Sequence, residues 1–209
     1  MSQADNAPTG LDFLRHGEPV GGSQRYRGQI DDPLSEHGWA QMRQAVAGGR
    51  PWTRIVSSPL MRCRAFAEEL AVAMGLELEF DERLKEVGFG VWEGRTRAEI
   101  SAATPGALER FRADPLQQRP EGAEPLGEFL ARVGRACTDL VTRHAGEQVL
   151  VVCHAGVMRA VFHHALQVPL AAIYDIQVRN AEFSRFRHEN GRYTLLGHGL
   201  KALPVDRGR

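Results

Sequence analysis

The sequence predicts an α/β fold, a three-layer α/β/α sandwich around a mainly parallel central sheet with a small helical lid excursion. Three observations carry this expectation. Short apolar runs of strand length, residues 11–14 and 149–153, alternate with longer stretches whose apolar residues recur at helical spacing. The second run is uninterrupted, the mark of a strand buried on both faces. The chain has 209 residues, 43% hydrophobic and 25% charged, which suits one domain with a substantial core and excludes disordered and fibrous classes.

In chain order, residues 1–10 are polar and lack a basic stretch followed by an apolar one. They read as a loose tail, not a signal peptide, and residues 11–209 read as a single domain. The first strand, residues 11–14, ends in Arg15-His16-Gly17-Glu18. A strand ending there delivers a cation and an imidazole to the edge of the sheet where ligands bind in open α/β folds, so His16 is a candidate nucleophile toward phosphate. A Gly- and Arg-rich loop, residues 20–32, follows; its Arg25 and Arg27 are candidate substrate contacts or a solvated basic turn. Pro33-Leu34-Ser35 supplies a stop and an N-cap for a helix carrying Trp39, Met42 and Val46. Residues 54–56 form a short strand leading into Ser57-Ser58-Pro59. Residues 60–74 form an amphipathic helix that Gly75 ends, with Arg62 in its opening turns and Arg64 at the surface.

Residues 77–80 alternate like a strand. Residues 84–94 are interrupted by glycines and cannot be a regular helix, and Phe89 and Trp92 within them read as packing residues. Prolines at 105, 115 and 120 break residues 96–122 into one or two short helices, the proposed lid. A longer helix spans residues 124–144, and strand 149–153 leads through His154-Ala155-Gly156 into a helix over residues 157–166. The adjacent His163 and His164 cannot share a face of it. Residues 175–178, 181–188 and 192–197 read as strands, the last two joined by Glu189-Asn190-Gly191, a hairpin signal.

Composition narrows the function. Lys+Arg and Asp+Glu are both 26, a net charge of zero, so neither nucleic acid nor an anionic membrane is the expected partner. No apolar stretch is long enough to cross a bilayer. The three cysteines, Cys63, Cys137 and Cys153, have neither metal-ligand nor redox spacing, which suits reduced thiols in a cytoplasm. Two strand-to-helix junctions, at Ser57-Ser58-Pro59 and at His154-Ala155-Gly156, resemble the first strand end. Each offers the unpaired N–H groups and positive dipole of a helix N-terminus, so backbone from Ala155 onward is a candidate anion contact. With Arg15 and Arg62 aimed at the same pocket, a doubly charged phosphoryl group fits best.

These strings occur in the order Arg15 to Glu18, Ser57 to Arg62 (Ser-Ser-Pro-Leu-x-Arg), Leu84-x-Glu86 with Phe89 to Gly94 (Phe-Gly-x-Trp-Glu-Gly), and His154 to Gly156. In this the sequence resembles the histidine phosphatase superfamily, also called the phosphoglycerate-mutase-like family. The resemblance implies His16 as nucleophile, Arg15 and Arg62 as phosphate-binding arginines, His154 as the second histidine, which with the arginines contacts the phosphoryl oxygens, and Glu86 as proton donor. It also implies a metal-independent phosphomonoester hydrolase, a histidine-type acid phosphatase without cofactor, acting on a small phosphorylated metabolite. A like charge about 4 Å away opposes an imidazolium by about 4 kcal/mol at an effective dielectric near 20, so the two arginines are expected to hold His16 neutral. Glu86 faces the reverse demand: the arginines lower its pKa, and the substrate's charge is expected to raise it.

The pattern also departs from the family's. Many relatives have threonine directly after Arg-His-Gly-Glu and a phosphate-touching asparagine three residues further on, where this chain has Pro19 and Gly22. The mutase branch follows its glutamate with Arg-His-Tyr-Gly, where this chain has Val87-Gly88-Phe89-Gly90. The phosphatase branch is therefore favoured, and within it the Phe-Gly-x-Trp-Glu-Gly (Phe89 to Gly94) and His-Ala-Gly-Val-Met-Arg (His154 to Arg159) strings look most like the α-ribazole phosphatase-like bacterial group, which makes α-ribazole 5′-phosphate a candidate substrate. The alternatives are a mutase-type phosphotransferase and a non-catalytic phosphate-binding regulatory module.

Overall fold

A computed structural model describes residues 7–203. Its strands are β1 (Thr9–Arg15), β2 (Arg54–Ser57), β3 (Glu77–Phe80), β4 (Gln148–Cys153), β5 (Phe183–Glu189) and β6 (Arg192–Leu200). Its helices are α1 (Glu36–Ala45), α2 (Met61–Met74), α3 (Arg97–Ala103), α4 (Ala107–Ala113), α5 (Leu126–Arg143) and α6 (Ala155–Leu166). The strands form one sheet in the order β3-β2-β4-β1-β5-β6. Its first four members run parallel, while β5 runs antiparallel to β1 and β6 antiparallel to β5. The expected mainly parallel α/β fold is what forms.

The layers follow from alternation along the central strands. Leu14, Ile55, Leu150 and Val152 point to one face, where α1 and α2 bring Met42 and Phe66. Leu11, Phe13, Val149 and Val151 point to the other, where α5 and α6 bring Phe129 and Val157. Side chains buried on both faces, each worth about 1.5–3 kcal/mol, make β1 and β4 the centre of the sheet. Register then sets the site. Leu14 lies opposite Val152, Arg15 opposite Cys153, and Ser57 also opposite Val152. The carboxyl ends of β1, β4 and β2 therefore lie side by side, so the turns after them share one edge.

Local signals act as read. Ser35 caps α1 by accepting the Gly38 N–H, and Gly75 ends α2 in the left-handed region at φ 65°. Asn190 and Gly191, at φ 51° and 73°, turn the β5–β6 hairpin. The excursion holds α3 and α4, opened by a Thr96–Glu99 capping box and packed on a small cluster of Trp92, Ile100, Leu108 and Phe111.

Several elements differ from the sequence reading. The first six residues of the proposed tail lie outside the described residues, and within the rest Thr9 and Gly10 already belong to β1. Helix α5 begins at Leu126 rather than residue 124, because the Glu124 carboxylate accepts from Gly88 N and Arg132. Strand β6 continues to Leu200 across an irregular register with β5, and β5 itself starts only after Ala181, whose φ is 54°. Most telling is residues 175–178, which form no strand: a 3-10 turn, Leu170–Asp175, runs into irregular backbone. The carbonyls of Ile176, Gln177 and Val178 accept from Arg159, His198 and Arg15, so no strand ladder uses them.

The turn after β1 is pinned to α1 by two glycines. A Cβ on Gly17 would collide with backbone of Gly38, and one on Gly38 with backbone of Glu18. Alanine at an unconstrained helix position stabilises by about 1 kcal/mol over glycine. At position 38 the sign reverses: Gly38→Ala should cost about 1–3 kcal/mol, lowering the thermal midpoint by about 2–12 °C. An unchanged or raised midpoint would contradict this close approach.

Candidate active site

His16 follows β1 directly, and its N–H donates to the Cys153 carbonyl at 2.9 Å. The ring is 5% exposed, and Nδ1–H donates to the Gly17 carbonyl at 2.7 Å. A carbonyl only accepts, so this bond places the proton on Nδ1 and leaves the lone pair on Nε2. Burial holds the His16 pKa well below the usual histidine value, with Arg15 and then Arg62 adding repulsion against the Gly17 bond. Desolvation, and not the arginines expected from the sequence to dominate, is thus the first cause, and their repulsion comes second.

Arg15 and Arg62 flank this imidazole. Arg15 donates through Nη1 to the Val178 carbonyl at 2.7 Å. Burial lowers its pKa to about 10, opposed by Glu86 and reinforced by Arg159, Arg62 and Arg27. Arg62, 1% exposed, occupies the first turn of α2 and donates to the carbonyls of Ile30 and Gly28 at 2.7 and 2.8 Å. Each keeps a buried Nε–H with no partner among the described residues. Both cations are thus solvated by carbonyl dipoles and by no carboxylate in hydrogen-bond contact, a donor set suited to an oxyanion.

Glu86 enters from irregular backbone. Its Oε1 accepts from Val87 N at 2.9 Å and its Oε2 from Gly156 N at 3.1 Å. The positive end of α6, read as an anion site, is thus partly taken by a carboxylate of the chain itself. Arg132 of α5 holds this segment from behind: Nη1 donates to the Arg83 and Lys85 carbonyls and Nη2 to that of Glu86, while Glu124 balances its charge. Sequence reasoning missed Arg132, which looks like an ordinary helix arginine until residues 83–86 fold onto it.

His154 lies one layer deeper. It is fully buried, its ring centroid 5.2 Å from that of His16, and Nε2 shares a 2.7 Å hydrogen bond with Ser58 Oγ. Burial, then Arg62, His16 and Arg15, hold its pKa well below the usual value. The neighbouring Cys63 thiol is pushed up to about 12 by burial, and all three cysteines are free and buried.

A cavity of about 580 Å³ opens over Arg15, His16, Arg62 and Glu86. Arg25 and Arg27 line it as read, each already engaged: Arg25 with the Gly94 carbonyl and Glu99, Arg27 with Asp32 and the Val20 carbonyl. His154 and Ala155 do not line it. Pro19 does, with Ser23 and Gln24 close by, whereas Gly22 does not. Trp92 is buried packing as read; Phe89 packs and also faces the cavity. Sequence reasoning missed three further lining arginines, Arg97, Arg112 and Arg159. Arg159 carried a signal, since four residues after Ala155 it faces the same end of α6. Among the described residues no group of three or more His, Cys, Asp or Glu is placed to hold a metal ion, and no helix is long and apolar enough to cross a membrane.

Comparison with known proteins identifies the family and the fold. The family model of the histidine phosphatase superfamily (branch 1) matches residues 11–201. A bifunctional protein of Mycobacterium tuberculosis is 33% identical over 187 residues, 87% of this chain and 50% of that protein, so the chain spans about half the length of the first curated relatives it matches. Phosphoserine phosphatase 1 of Hydrogenobacter thermophilus is 32% identical over 195 residues, 89% of this chain and 90% of that enzyme. Among solved structures, a mycobacterial glucosyl-3-phosphoglycerate phosphatase in complex with inorganic phosphate superposes with a TM-score of 0.79 at 31% identity, covering 91% of this chain and 96% of that one.

The two imidazoles set a pH signature. Their folded pKa values lie below the unfolded value of about 6.5, so below that pH the unfolded chain binds more protons. Their contribution to stability is complete above about pH 6.5 and is lost as the pH falls toward the folded values. Imidazole resonances of His16 and His154 should show no titration midpoint near 6.5, and the urea midpoint should fall from about pH 7 to about pH 5. A His16 midpoint near 6.5 would contradict the desolvated site.

Proposed function

The chain belongs to the histidine phosphatase superfamily, and from that premise we propose that it is a phosphomonoester hydrolase acting through a phosphohistidine on His16. The observation that carries this reading is the Nδ1–H bond from His16 to the Gly17 carbonyl, which leaves the Nε2 lone pair beside two buried arginines with unpartnered Nε–H groups. Nε2 attacks phosphorus in line: the N–P bond forms as the ester P–O bond breaks. Arg15 and Arg62 hold the equatorial oxygens and spread their charge, which is where phosphoryl-transfer catalysis mostly lies.

Glu86 gives its proton to the departing alkoxide. As a carboxylate it then takes a proton from water, whose oxygen bonds to phosphorus as the N–P bond breaks, and His16 and protonated Glu86 are restored with release of inorganic phosphate. The two N–H groups holding its oxygens fix the carboxyl orientation throughout. His154 acts as a positioning residue behind His16; the phosphate-contact role that the resemblance implies for it requires exchange of the Ser58 bond for one to the phosphoryl group. Ser23, Gln24, Arg25 and Arg27 line the cavity with Pro19, which stands where many relatives have threonine. A similar protein's complex with inorganic phosphate supports the class of ligand. The short strings that resemble the α-ribazole group place α-ribazole 5′-phosphate among the esters to be tried.

Release of inorganic phosphate from a panel of phosphomonoesters, with a chelator present, should vanish in His16→Ala; release by both proteins would contradict the nucleophile. Glu86→Gln should slow formation of the phosphohistidine from alkyl phosphates, read as the initial burst of released alcohol, by about 10²–10⁴-fold, and far less from p-nitrophenyl phosphate, whose leaving group needs no proton; hydrolysis of the phosphohistidine should slow alike for both. Equal slowing of the first step on both esters would contradict the role of Glu86 as acid.

A further inference from the structure

Phosphoryl transfer as described uses two arginines, and the cavity holds more. Seven arginines line it against two carboxylates, Glu86 and Asp175, in a chain with 26 basic and 26 acidic residues. This is a local concentration of charge. Two of the remaining five are spent, Arg27 on Asp32 and Arg25 on Glu99 and the Gly94 carbonyl.

Arg97, Arg112 and Arg159 differ. Among the described residues none of them makes an ion pair, and the one hydrogen bond of the three runs from Arg159 Nε to the Ile176 carbonyl at 3.1 Å. They come from three elements, the start of α3, α4 and the second turn of α6, and converge on one cavity. Arg159 is half-buried and held in place: Nε is bonded, the guanidinium lies 5.9 Å from the Tyr174 ring centroid, and neither Nη group has a hydrogen-bond partner among the described residues. Arg110, two residues before Arg112 on α4, shows the ordinary alternative, turning back to the Pro105 carbonyl and away from the cavity.

Unpaired cations gathered around one cavity, two exposed at its rim and Arg159 half-buried, repel one another, and Arg159 is among the charges that lower the Arg15 pKa. Such an arrangement is stabilised by anions, and the fork of a guanidinium matches carboxylate and phosphate oxygens. Resting on the hydrolase reading, we propose that Arg97, Arg112 and Arg159 form a second anion subsite, so that the substrates are phosphomonoesters bearing a further anionic group, a carboxylate or a second phosphate. Glu86 and Asp175 do not balance this charge, and the cavity of about 580 Å³ is of a size that takes a whole small metabolite. α-Ribazole 5′-phosphate, which has no second anion, then belongs with the poor substrates.

The test compares matched esters. 3-Phosphoglycerate and glycerol 3-phosphate differ by a carboxylate in place of a hydroxymethyl group, and fructose 1,6-bisphosphate and fructose 6-phosphate differ by a phosphate. The wild-type enzyme should favour the doubly anionic member of at least one pair by about tenfold or more in kcat/KM, and the favoured pair identifies the group. Arg159→Gln, and separately the exposed pair Arg97→Gln with Arg112→Gln, should bring that ratio to within about twofold of one, mainly through KM. The wild-type ratio needs no variant, and the surface pair covers the case in which Arg159→Gln fails to fold. Equal rates within both pairs, or a ratio unchanged in both variants, would overturn the subsite and leave the hydrolase standing. No phosphate from any ester would overturn the hydrolase, and this subsite with it.

Discussion

Two buried guanidinium groups beside a neutral imidazole are the constraint around which the rest of the structure is arranged. Taking each cation out of water costs several kcal/mol. Carboxylate partners would offset that cost and would also cancel the charge an incoming anion needs. The chain instead solvates Arg15 with the Val178 carbonyl and Arg62 with those of Gly28 and Ile30. Backbone dipoles lower the cost of burial and leave the positive charge in place. The loops that supply them are correspondingly irregular, bent to aim carbonyls inward.

The opposite charge is handled the opposite way. Glu86 is held by backbone N–H groups of Val87 and Gly156, while its own backbone is clamped from behind by Arg132 of α5. Glu86 and His16, the acid and the nucleophile of the proposed mechanism, therefore both rest on the sheet and its long helices. The α3–α4 excursion has its own small apolar cluster and contributes Arg97 and Arg112 to the outer cavity. Under the proposed mechanism and subsite, the chemistry is anchored by the sheet and its long helices, and recognition of the ester's remainder falls to the outer arginines.

How much of this the sequence shows depends on the range of the interactions involved. Strands β1 and β4 are legible because burial on both faces writes itself as continuous apolar runs, and Ser35 and Gly75 mark helix ends by chemistry within a few residues. His16, Arg15 and Arg62 are legible from strand ends and motif order; Glu86 is legible only through the family resemblance, since nothing local distinguishes a loop carboxylate. Arg132 is invisible because its role depends on residues 83–86, far away in sequence. Residues 175–178 mislead for the same reason: Ile176 and Val178 alternate like a strand, and only the fold shows their carbonyls spent on Arg159 and Arg15. The depth of His154 behind His16 is likewise a property of the packed layers, because both histidines follow strands in the sequence.

The central claim is that phosphorus passes through Nε2 of His16. Rapid quench of the enzyme with an aryl phosphate into alkali, which preserves a phosphohistidine, followed by mass spectrometry of the digest, tests it most directly. The account predicts a base-stable, acid-labile phosphoryl group on the peptide that carries His16 and on no other. A phosphoryl group on His154 or Ser58, or turnover with no phosphorylated peptide at any quench time, would contradict it.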